Sequence, residues 1–481
     1  MVEPPPSQPT PAAARKQDLM RSFVLSTLDG IFSVPIGTIS LPSNVFLIAL
    51  VSQAFHLPSS TIGLFMALPF IANFLQLFAM PALAQWRPSK ALTFLSAAAH
   101  LASWVVLAVI LPWFPQSDPL RAGRWLLAWF LVSSLFGALN AVAWNSWTQE
   151  WVPARLRGKF FGRRNRLVQF SALSFLLVAG WVLGHWQYAI LALQAIIAGA
   201  VLMRAVSLRC MRINPSPIRR PEPDSDLTLA DKFAVLMRSH SFLLFVGFGC
   251  VWFFAANCFG PFYQVFMFDQ MGMSAFEVGL TATLAQLGGA LSLPVWGQLL
   301  DRYGNKPVMV VSLIFWQLSN FFWCFLVPEN RAVLFVLWLW SGATGAGFVL
   351  GQFTILLRLI PLEAKNLAIG FNLAITSIFA AAAPIAGGYL LEWALARTND
   401  GLAVYHACFL VQPVLSLAGL VLLLRVREPA ASPLSVVVGA MRNIRTLSGV
   451  LGLDFLISYL FLKPQPTGTA ARPNRDSSER K

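Results

Sequence analysis

Charged residues are scarce in this chain of 481 residues. Asp, Glu, Lys and Arg together make up 11% of it, whereas a soluble globular protein carries about 25%. Hydrophobic residues make up 57%, so most of the surface cannot be matched to water. This composition argues against a soluble protein and favours one that lies in a lipid bilayer.

The chain also lacks the patterns that would indicate catalysis or a bound cofactor. It contains no Gly-Lys-Ser/Thr phosphate loop and no His-Glu-x-x-His zinc motif, so we expect no ATP-driven chemistry, no metal and no cofactor. The cysteines have no CxxC spacing and are expected to be buried thiols: Cys210, Cys250, Cys258, Cys324 and Cys408. Residues 1–14 lack a basic head before an apolar core, so no cleavable signal peptide is predicted.

Long apolar runs are what the sequence does have. A helix that crosses a bilayer needs about 20 mostly apolar residues. Twelve runs meet this requirement, and we number them span 1 to span 12: 22–53, 60–82, 91–112, 124–149, 167–184, 188–208, 241–266, 276–299, 307–328, 332–357, 366–392 and 403–425. Span 1 is long and holds Pro35 and Pro42, so a kink or a tilt is predicted there.

Positive charge is distributed unevenly between the two sets of loops. With the N-terminus placed inside, 31 of the 35 Lys and Arg residues fall on the inner side and four on the outer side. This asymmetry predicts that both termini are cytosolic in a bacterial-type inner (plasma) membrane. It also explains the net charge of +15 by topology and contact with anionic lipid, so nucleic-acid binding is not expected.

A Pro-rich polar stretch at 209–240 divides the twelve spans into six and six. The predicted organisation is a disordered cytosolic N-tail (1–20), a six-helix bundle (21–208), a cytosolic linker (209–240), a second six-helix bundle (241–427) and a cytosolic tail (428–481). Within the tail, 434–447 has apolar residues at helical spacing with arginines between them. This pattern predicts an amphipathic helix on the inner leaflet.

The two halves repeat each other. Ile62-Gly63-Leu64 and Lys90 recur 216 residues later as Val278-Gly279-Leu280 and Lys306, and Trp151-Val152-Pro153 recurs 208 residues later as Leu359-Ile360-Pro361. At this second offset Trp144 is equivalent to Gln352. Two matching sites in the same order indicate an internal duplication.

A short charged turn between spans 8 and 9 carries the most specific signal. It contains Gly297, Leu299, Asp301, Arg302, Gly304 and Lys306, and it resembles the G-x-L-x-D-R-x-G-x-K loop of the major facilitator superfamily of secondary transporters. The N-terminal copy departs from this pattern, with Gln85 and Pro88 in place of Asp301 and Gly304. The basic tract 153–164 also resembles a loop of that family, although topogenic charge alone would explain it.

The resemblance implies an all-α membrane protein of two pseudo-symmetric six-helix bundles that moves a small molecule by alternating access. It also implies that spans 1, 4, 7 and 10 line a central cavity, and polar residues within spans are expected to face the interior. The resulting candidates for substrate contact are Asn44, Asn140, Trp144, Asn145, Trp252, Asn257, Thr344 and Gln352. Interhelical hydrogen bonding is the alternative role for each.

Asp29 is the clearest intramembrane carboxylate and the candidate for ion coupling, with the proton favoured over sodium. The alternative is a structural ion pair with an arginine of loop 4–5. His100, inside span 3, is expected to be a packing histidine. The loop between spans 8 and 9 is the candidate gating loop, with Asp301 expected at the N-terminus of span 11 when the inner gate is shut.

Two other functions stay open on sequence alone. The first is a non-transporting membrane protein on the same scaffold, such as a sensor or an assembly factor, because a fold does not fix a function. The second is an intramembrane enzyme, which lacks support because no nucleophile–base pair or metal motif is present. We expect a monomer whose partners are a small-molecule substrate, a coupling proton and the lipid bilayer.

Overall fold

The computed structural model describes residues 11–216, 228–361, 364–428, 432–433 and 435–436, and secondary structure in this part of the chain is helical throughout. Spans 1 to 6 are formed by Pro11–Ile39 (continued by Val45–Ile48 and the π-helical Ala49–Ala54), Ser59–Trp86, Ser89–Ile110, Pro119–Trp151, Ala154–His185 and Ile190–Ile213. Spans 7 to 12 are formed by His240–Cys258 with Phe262–Asp269, Ala275–Tyr303, Asn305–Asn320, Val333–Leu359, Lys365–Leu395, and Gly401–Phe409 with Val411–Arg425.

The twelve predicted spans are confirmed. Within the part of the chain that the structure describes, twelve helical segments are long and apolar enough to cross a membrane. This is an integral, multi-pass, all-α membrane protein. Several helices extend beyond the predicted runs, because the ends of spans carry polar residues that favour helix without being apolar.

The predicted kink in span 1 is present as a break at residues 40–44. Pro35 is tolerated inside the first helix, which ends at Ile39, three residues before Pro42, and Ser43 has a φ of 58°. The Asn44 side chain then caps the next helix by accepting a hydrogen bond of 2.8 Å from the Phe46 amide. Proline lacks the N–H that would continue a helix, which explains why the break falls there.

The N-terminal helix begins at Pro11, inside the stretch that the sequence assigns to a disordered tail. Ala12 to Lys16 are strong helix formers, and this preference extends the span outward. The membrane-spanning part begins at Gln17, so Asp29 lies about 18 Å into it at the usual helical rise. Asp29 is therefore near the middle of this candidate span.

The linker between the halves contains a helix, Leu229–Arg238, that the sequence did not predict. Thr228 caps it by accepting a hydrogen bond from the Asp231 amide. The amphipathic helix predicted at 434–447 lies outside the described residues, apart from Ser435 and Val436.

The two six-helix halves pack in the same way. In the first half, span 1 contacts spans 5 and 6, and span 4 contacts spans 2 and 3; in the second, span 7 contacts spans 11 and 12, and span 10 contacts spans 8 and 9. These equivalent pairs are the structural counterpart of the sequence repeat. The halves meet chiefly where span 2 contacts span 11 and span 5 contacts span 8.

We call the side of the membrane that carries loops 2–3, 4–5, 8–9 and 10–11 the basic side, and the other the opposite side. On the opposite side, spans 2 and 11 touch backbone to backbone: a Cβ placed on Gly63 would lie 2.0 Å from the Pro384 carbonyl oxygen, and one on Gly388 would lie 2.4 Å from that of Ser59. Spans 5 and 8 meet in a similar way at Gly180, where an added Cβ would lie 2.9 Å from the Ala275 oxygen.

Hydrogen bonds between the halves reinforce this contact. The Glu392 carboxylate accepts from the Ser60 amide at 2.8 Å, and the Gln53 amide donates to Asp269 at 2.8 Å. The Gln264 side chain donates to the Ser43 carbonyl oxygen at 2.7 Å. The halves are therefore closed against each other on the opposite side.

Candidate functional site

A cavity of about 660 Å³ lies in the N-terminal half. Spans 1 and 4 form most of its wall, and spans 2, 3, 5 and 6 complete it. Asn145 lines this cavity, is solvent-exposed, and lies six residues from the end of its helix at Trp151 on the basic side. This part of the cavity wall is therefore exposed on the basic side, while the two halves are in contact on the opposite side.

A buried charged cluster forms the inner wall of this cavity. The Asp29 carboxylate accepts a hydrogen bond of 2.6 Å from the Ser207 hydroxyl, which in turn accepts one of 3.0 Å from Arg204. A second guanidinium nitrogen of Arg204 donates to Asn140 at 3.2 Å. Asp29 and Arg204 are 2% and 4% exposed, so both are removed from water.

Arg164 approaches the same cluster from span 5. Its Nε donates to the Ser26 carbonyl oxygen at 3.0 Å, and its guanidinium carbon lies 4.6 Å from the centre of the Trp144 ring. Gly30 leaves the space for it, since a Cβ there would lie 2.6 Å from Arg164 Nη2. The helix Ala154–His185 begins inside the predicted basic loop, which is how an arginine of that tract reaches the cavity.

His100 lines the cavity from span 3 and is nearly fully buried. Its Nε2 lies 3.2 Å from Trp104 Nε1 and 3.4 Å from the Ser40 hydroxyl. Because the indole N–H can only donate, Nε2 is the acceptor of that bond. The contact with Trp104 supports the packing role predicted from the sequence.

A second cavity, of about 350 Å³, lies in the C-terminal half. Four tryptophans, Phe253, Tyr263 and Phe70 supply its aromatic wall, and no charged residue lines it. The tryptophans are Trp252, Trp316, Trp323 and Trp338. Phe70 of span 2 lines both cavities, so the two spaces adjoin at the interface between the halves.

Five of the eight predicted contact residues line these cavities. Asn140, Trp144 and Asn145 line the first, and Trp252 and Asn257 line the second. Asn140 also makes the interhelical hydrogen bond that was its alternative role, donating to the Thr93 carbonyl oxygen at 2.9 Å.

The other three predicted contacts line neither cavity. Asn44 caps a helix, Thr344 donates within its own helix to Trp340 at 2.8 Å, and Gln352 is half-buried on span 10. Helical spacing in the sequence could not show that these three residues do not face a cavity. Their direction depends on the break in span 1 and the rotation of span 10, and helix packing determines both.

The loop between spans 8 and 9 is a tight helix-to-helix turn. Gly304, with a φ of 95°, ends one helix and precedes the next, as its predicted turn role requires. Gly297 lies within the helix of span 8, and Asp301 and Arg302 are exposed at its end. Lys306 donates to the carbonyl oxygens of Leu424 and Val426 at 2.7 and 2.8 Å.

Glu428 holds this loop in place, and the sequence did not single it out. Its carboxylate accepts from the amides of Asn305 and Lys306, from the Asn305 side chain at 2.7 Å and from Arg358 at 3.0 Å. In the first half Lys90, the repeat equivalent of Lys306, donates to the Asn214 carbonyl oxygen at 2.5 Å. The two equivalent lysines thus both donate to backbone carbonyl oxygens at the end of the last span of their own half.

Comparison with known proteins finds similarity to one family. Residues 248–465 match the family model described as Major Facilitator Superfamily. The C-terminal part of the chain is therefore similar to this family. A relative named "Uncharacterized MFS-type transporter YfiU" from Bacillus subtilis is 31% identical over 142 residues, which is 27% of this chain and 26% of that protein.

A second relative matches a similar share of the chain. A "Multi-drug resistance efflux pump PmrA" from Streptococcus pneumoniae is 27% identical over 136 residues, covering 27% of this chain and 33% of that one. The chain thus aligns with between about a quarter and a third of the length of these two relatives.

The fold is shared with solved transporters at low sequence identity. The nucleoside transporter NupG aligns with a TM-score of 0.62 at 16% identity, covering 85% of this chain and all of that one. A bacterial homologue of the iron transporter ferroportin, in an inward-facing state, aligns with a TM-score of 0.61 at 15% identity over 84% of this chain and 98% of that one.

Proposed function

We propose that this protein carries a small molecule across the membrane by alternating access, as a secondary carrier. The observation that supports this most directly is the pair of adjoining cavities, one in each half, with an exposed wall on the basic side and contact between the halves on the opposite side. A solute bound there has access to one side only. A rocking motion of one half against the other would expose it to the other side.

The basic side is proposed to be the cytosol, and the membrane a bacterial-type inner membrane. The support is the charge asymmetry, with 31 of 35 Lys and Arg residues on that side. Reporter fusions after Arg87, within the 215–226 linker and at the C-terminus test this orientation. A periplasmic signal from the linker would refute it.

Transport is proposed to be coupled to an ion gradient through Asp29, with the proton as the coupling ion. Asp29 is buried at mid-membrane in the cavity wall, where its charge interacts with Arg204 and Arg164. A carboxylate whose charge changes during the cycle would alter its attraction to both arginines. Such a change is the property that a proton-coupled carrier requires.

Flux measurements on a locked protein test the carrier function. Gln53 and Asp269 face each other across the halves on the opposite side, so Q53C/D269C joined by a short bifunctional thiol reagent should hold that side closed. The background is a variant without the five native cysteines. The solute is found by comparing metabolites of a deletion strain and an overexpressing strain, and uptake is then measured in proteoliposomes.

The expected result is that cross-linking abolishes flux and that cleavage of the linker restores it. The matched control is E277C/R331C, a pair on the same side whose side chains lie 3.9 Å apart within one half. Cross-linking this pair should leave flux unchanged, because the halves stay free to move. If the unmodified protein moves none of the metabolites that differ between the two strains, the sensor or assembly-factor alternative is favoured.

A further inference from the structure

The first cavity carries more positive than negative charge. Its wall contains one carboxylate, Asp29, and two guanidinium groups, Arg164 and Arg204, together with His100. The net charge of Asp29, Arg164 and Arg204 together is +1 when Asp29 is ionised and larger when Asp29 is protonated. A buried charge is costly unless it is paired, so this surplus needs a partner of opposite sign.

The described part of the chain does not supply that partner. No carboxylate lies within 4 Å of either guanidinium as an ion pair, and Asp29 reaches Arg204 only through the Ser207 hydroxyl. Arg204 Nε, on a residue that is 4% exposed, has no hydrogen-bond partner. The Ser133 and Ser134 hydroxyls in the same wall also lack partners. Hydrogen-bond donors without acceptors therefore lie beside a net positive charge.

The adjoining cavity has the opposite character. It is walled by aromatic side chains and has no ionisable carboxylate or basic group. Trp252 Nε1 and Trp338 Nε1 have no hydrogen-bond partner, so this wall offers flat apolar surface and two N–H donors. Aromatic rings can also attract cations, but a cation here would be repelled by the two arginines next door.

We propose that the solute is an amphipathic organic anion. Its carboxylate, phosphate or sulfonate group binds beside Arg204 and Arg164 in the first cavity, and its aromatic body lies among the tryptophans of the second. Guanidinium groups match such anions in geometry as well as charge. This inference rests on the proposed carrier function, because it names the class of solute carried.

The charge of the first cavity is tested with an N145C variant in the background without native cysteines. Asn145 lines the cavity and is reachable from water. Its reaction rates with an anionic (2-sulfonatoethyl) and a cationic (2-trimethylammonioethyl) methanethiosulfonate are compared with those of free β-mercaptoethanol. The ratio of the anionic to the cationic reaction rate should be about tenfold or more higher for N145C than for the free thiol, because a partly buried positive charge attracts the anionic reagent.

Adding R204Q or R164Q should reduce this preference, and adding D29N should increase it. If either arginine variant fails to fold, the ratio in the parent N145C protein still decides the question. A preference for the cationic reagent, or a ratio equal to that of the free thiol, would overturn the proposal.

The solute class is tested by binding to the purified protein with its native cavity residues. The probes are 2-naphthoate, the neutral 2-naphthamide, the cationic 2-naphthylmethylammonium and inorganic phosphate, and the readout is the thermal midpoint in detergent. Only 2-naphthoate should raise the midpoint clearly, and R204Q should abolish the shift. Equal stabilisation by the cation, or by phosphate alone, would refute an aromatic anion.

Neither test measures transport, so the two proposals can fail separately. A protein that binds 2-naphthoate but moves no solute in proteoliposomes would refute the carrier function. A protein that moves a cationic solute would support the carrier function and refute the anion.

Discussion

Asp29 is the residue on which coupling is expected to depend. Its carboxylate is held by Ser207 at 2.6 Å, and Arg164, Arg204 and His100 share its cavity. We predict that Asp29→Asn abolishes gradient-driven accumulation but spares counterflow exchange, because the asparagine keeps the shape and cannot change charge. Uptake with and without a proton gradient measures this. Full accumulation by a correctly folded variant would remove Asp29 from the mechanism.

Single residues were predicted unevenly from the sequence. Asp29 and Asn140 were found because polar groups in apolar runs are conspicuous. Arg204 was missed because it stands near the end of span 6, where a lysine or arginine is ordinary. Arg164 was included in the basic tract 153–164, but the sequence did not show which arginine of loop 4–5 would reach Asp29. Only the depth and direction of a side chain distinguish such residues, and helix packing determines both.

Glu428 is predicted to stabilise the start of span 9 as a helix cap. It accepts from two backbone amides at the N-terminus of Asn305–Asn320, where a negative charge is favourable. Glu428→Gln should lower the free energy of unfolding by about 1–3 kcal/mol, since a buried charged hydrogen-bond acceptor is lost. The thermal midpoint in detergent measures this. Glu329→Gln, on an exposed turn, is the control and should show no such loss.

The close contact of spans 2 and 11 is predicted to favour the state closed on the opposite side. Gly63→Ala or Gly388→Ala puts a methyl group against a backbone carbonyl that cannot move aside. Such overpacking costs about 1–3 kcal/mol, which shifts the ratio of closed to open states about 5- to 150-fold toward open. Spin-label distances between these spans on the opposite side should lengthen.

The control for this change is Gly199→Ala in span 6, where an added Cβ meets nothing within 4 Å. Its distance distribution should match that of the parent. Equal effects of Gly199→Ala and Gly63→Ala would show that the helix contact does not set the conformational balance. The sequence indicated Gly63 as part of the repeat, but it could not show which helix would lie against it.

The whole molecule is predicted to have unequal latches on the basic side. Asp301 ends span 8 with an exposed side chain that makes no ion pair among the described residues, and its repeat equivalent is the uncharged Gln85. When the basic side shuts, Asp301 is expected to bind the N-terminus of span 11. Asp301→Asn should then raise the share of the open state about two- to fivefold, from about 0.3–1 kcal/mol of lost dipole attraction.

Spin labels on the basic-side ends of spans 5 and 11 measure this change. Gln85→Ala should have a much smaller effect, because no charge is lost. An unchanged distance distribution in Asp301→Asn, or an equal change in both variants, would require the unequal latches to be abandoned.

At this largest scale the sequence was most informative. The lengths of the apolar runs predicted all twelve spans, and the repeat together with the linker predicted the two halves. Such predictions succeed because the bilayer restricts a chain to few architectures. The adjoining cavities and the closed opposite side could not be predicted. They depend on how the halves contact each other, which no local pattern encodes.

The bond between Asp29 and Ser207 also has a consequence for how the protein is made. Its two partners are 178 residues apart, on the first and sixth spans. At about 5–20 residues per second, a ribosome needs roughly 10 to 35 seconds to synthesise that interval. A charged aspartate at the centre of an inserting helix costs about 2.5–3.5 kcal/mol. During synthesis the first helix therefore exists for that interval without the hydrogen bond that Ser207 later donates to its aspartate.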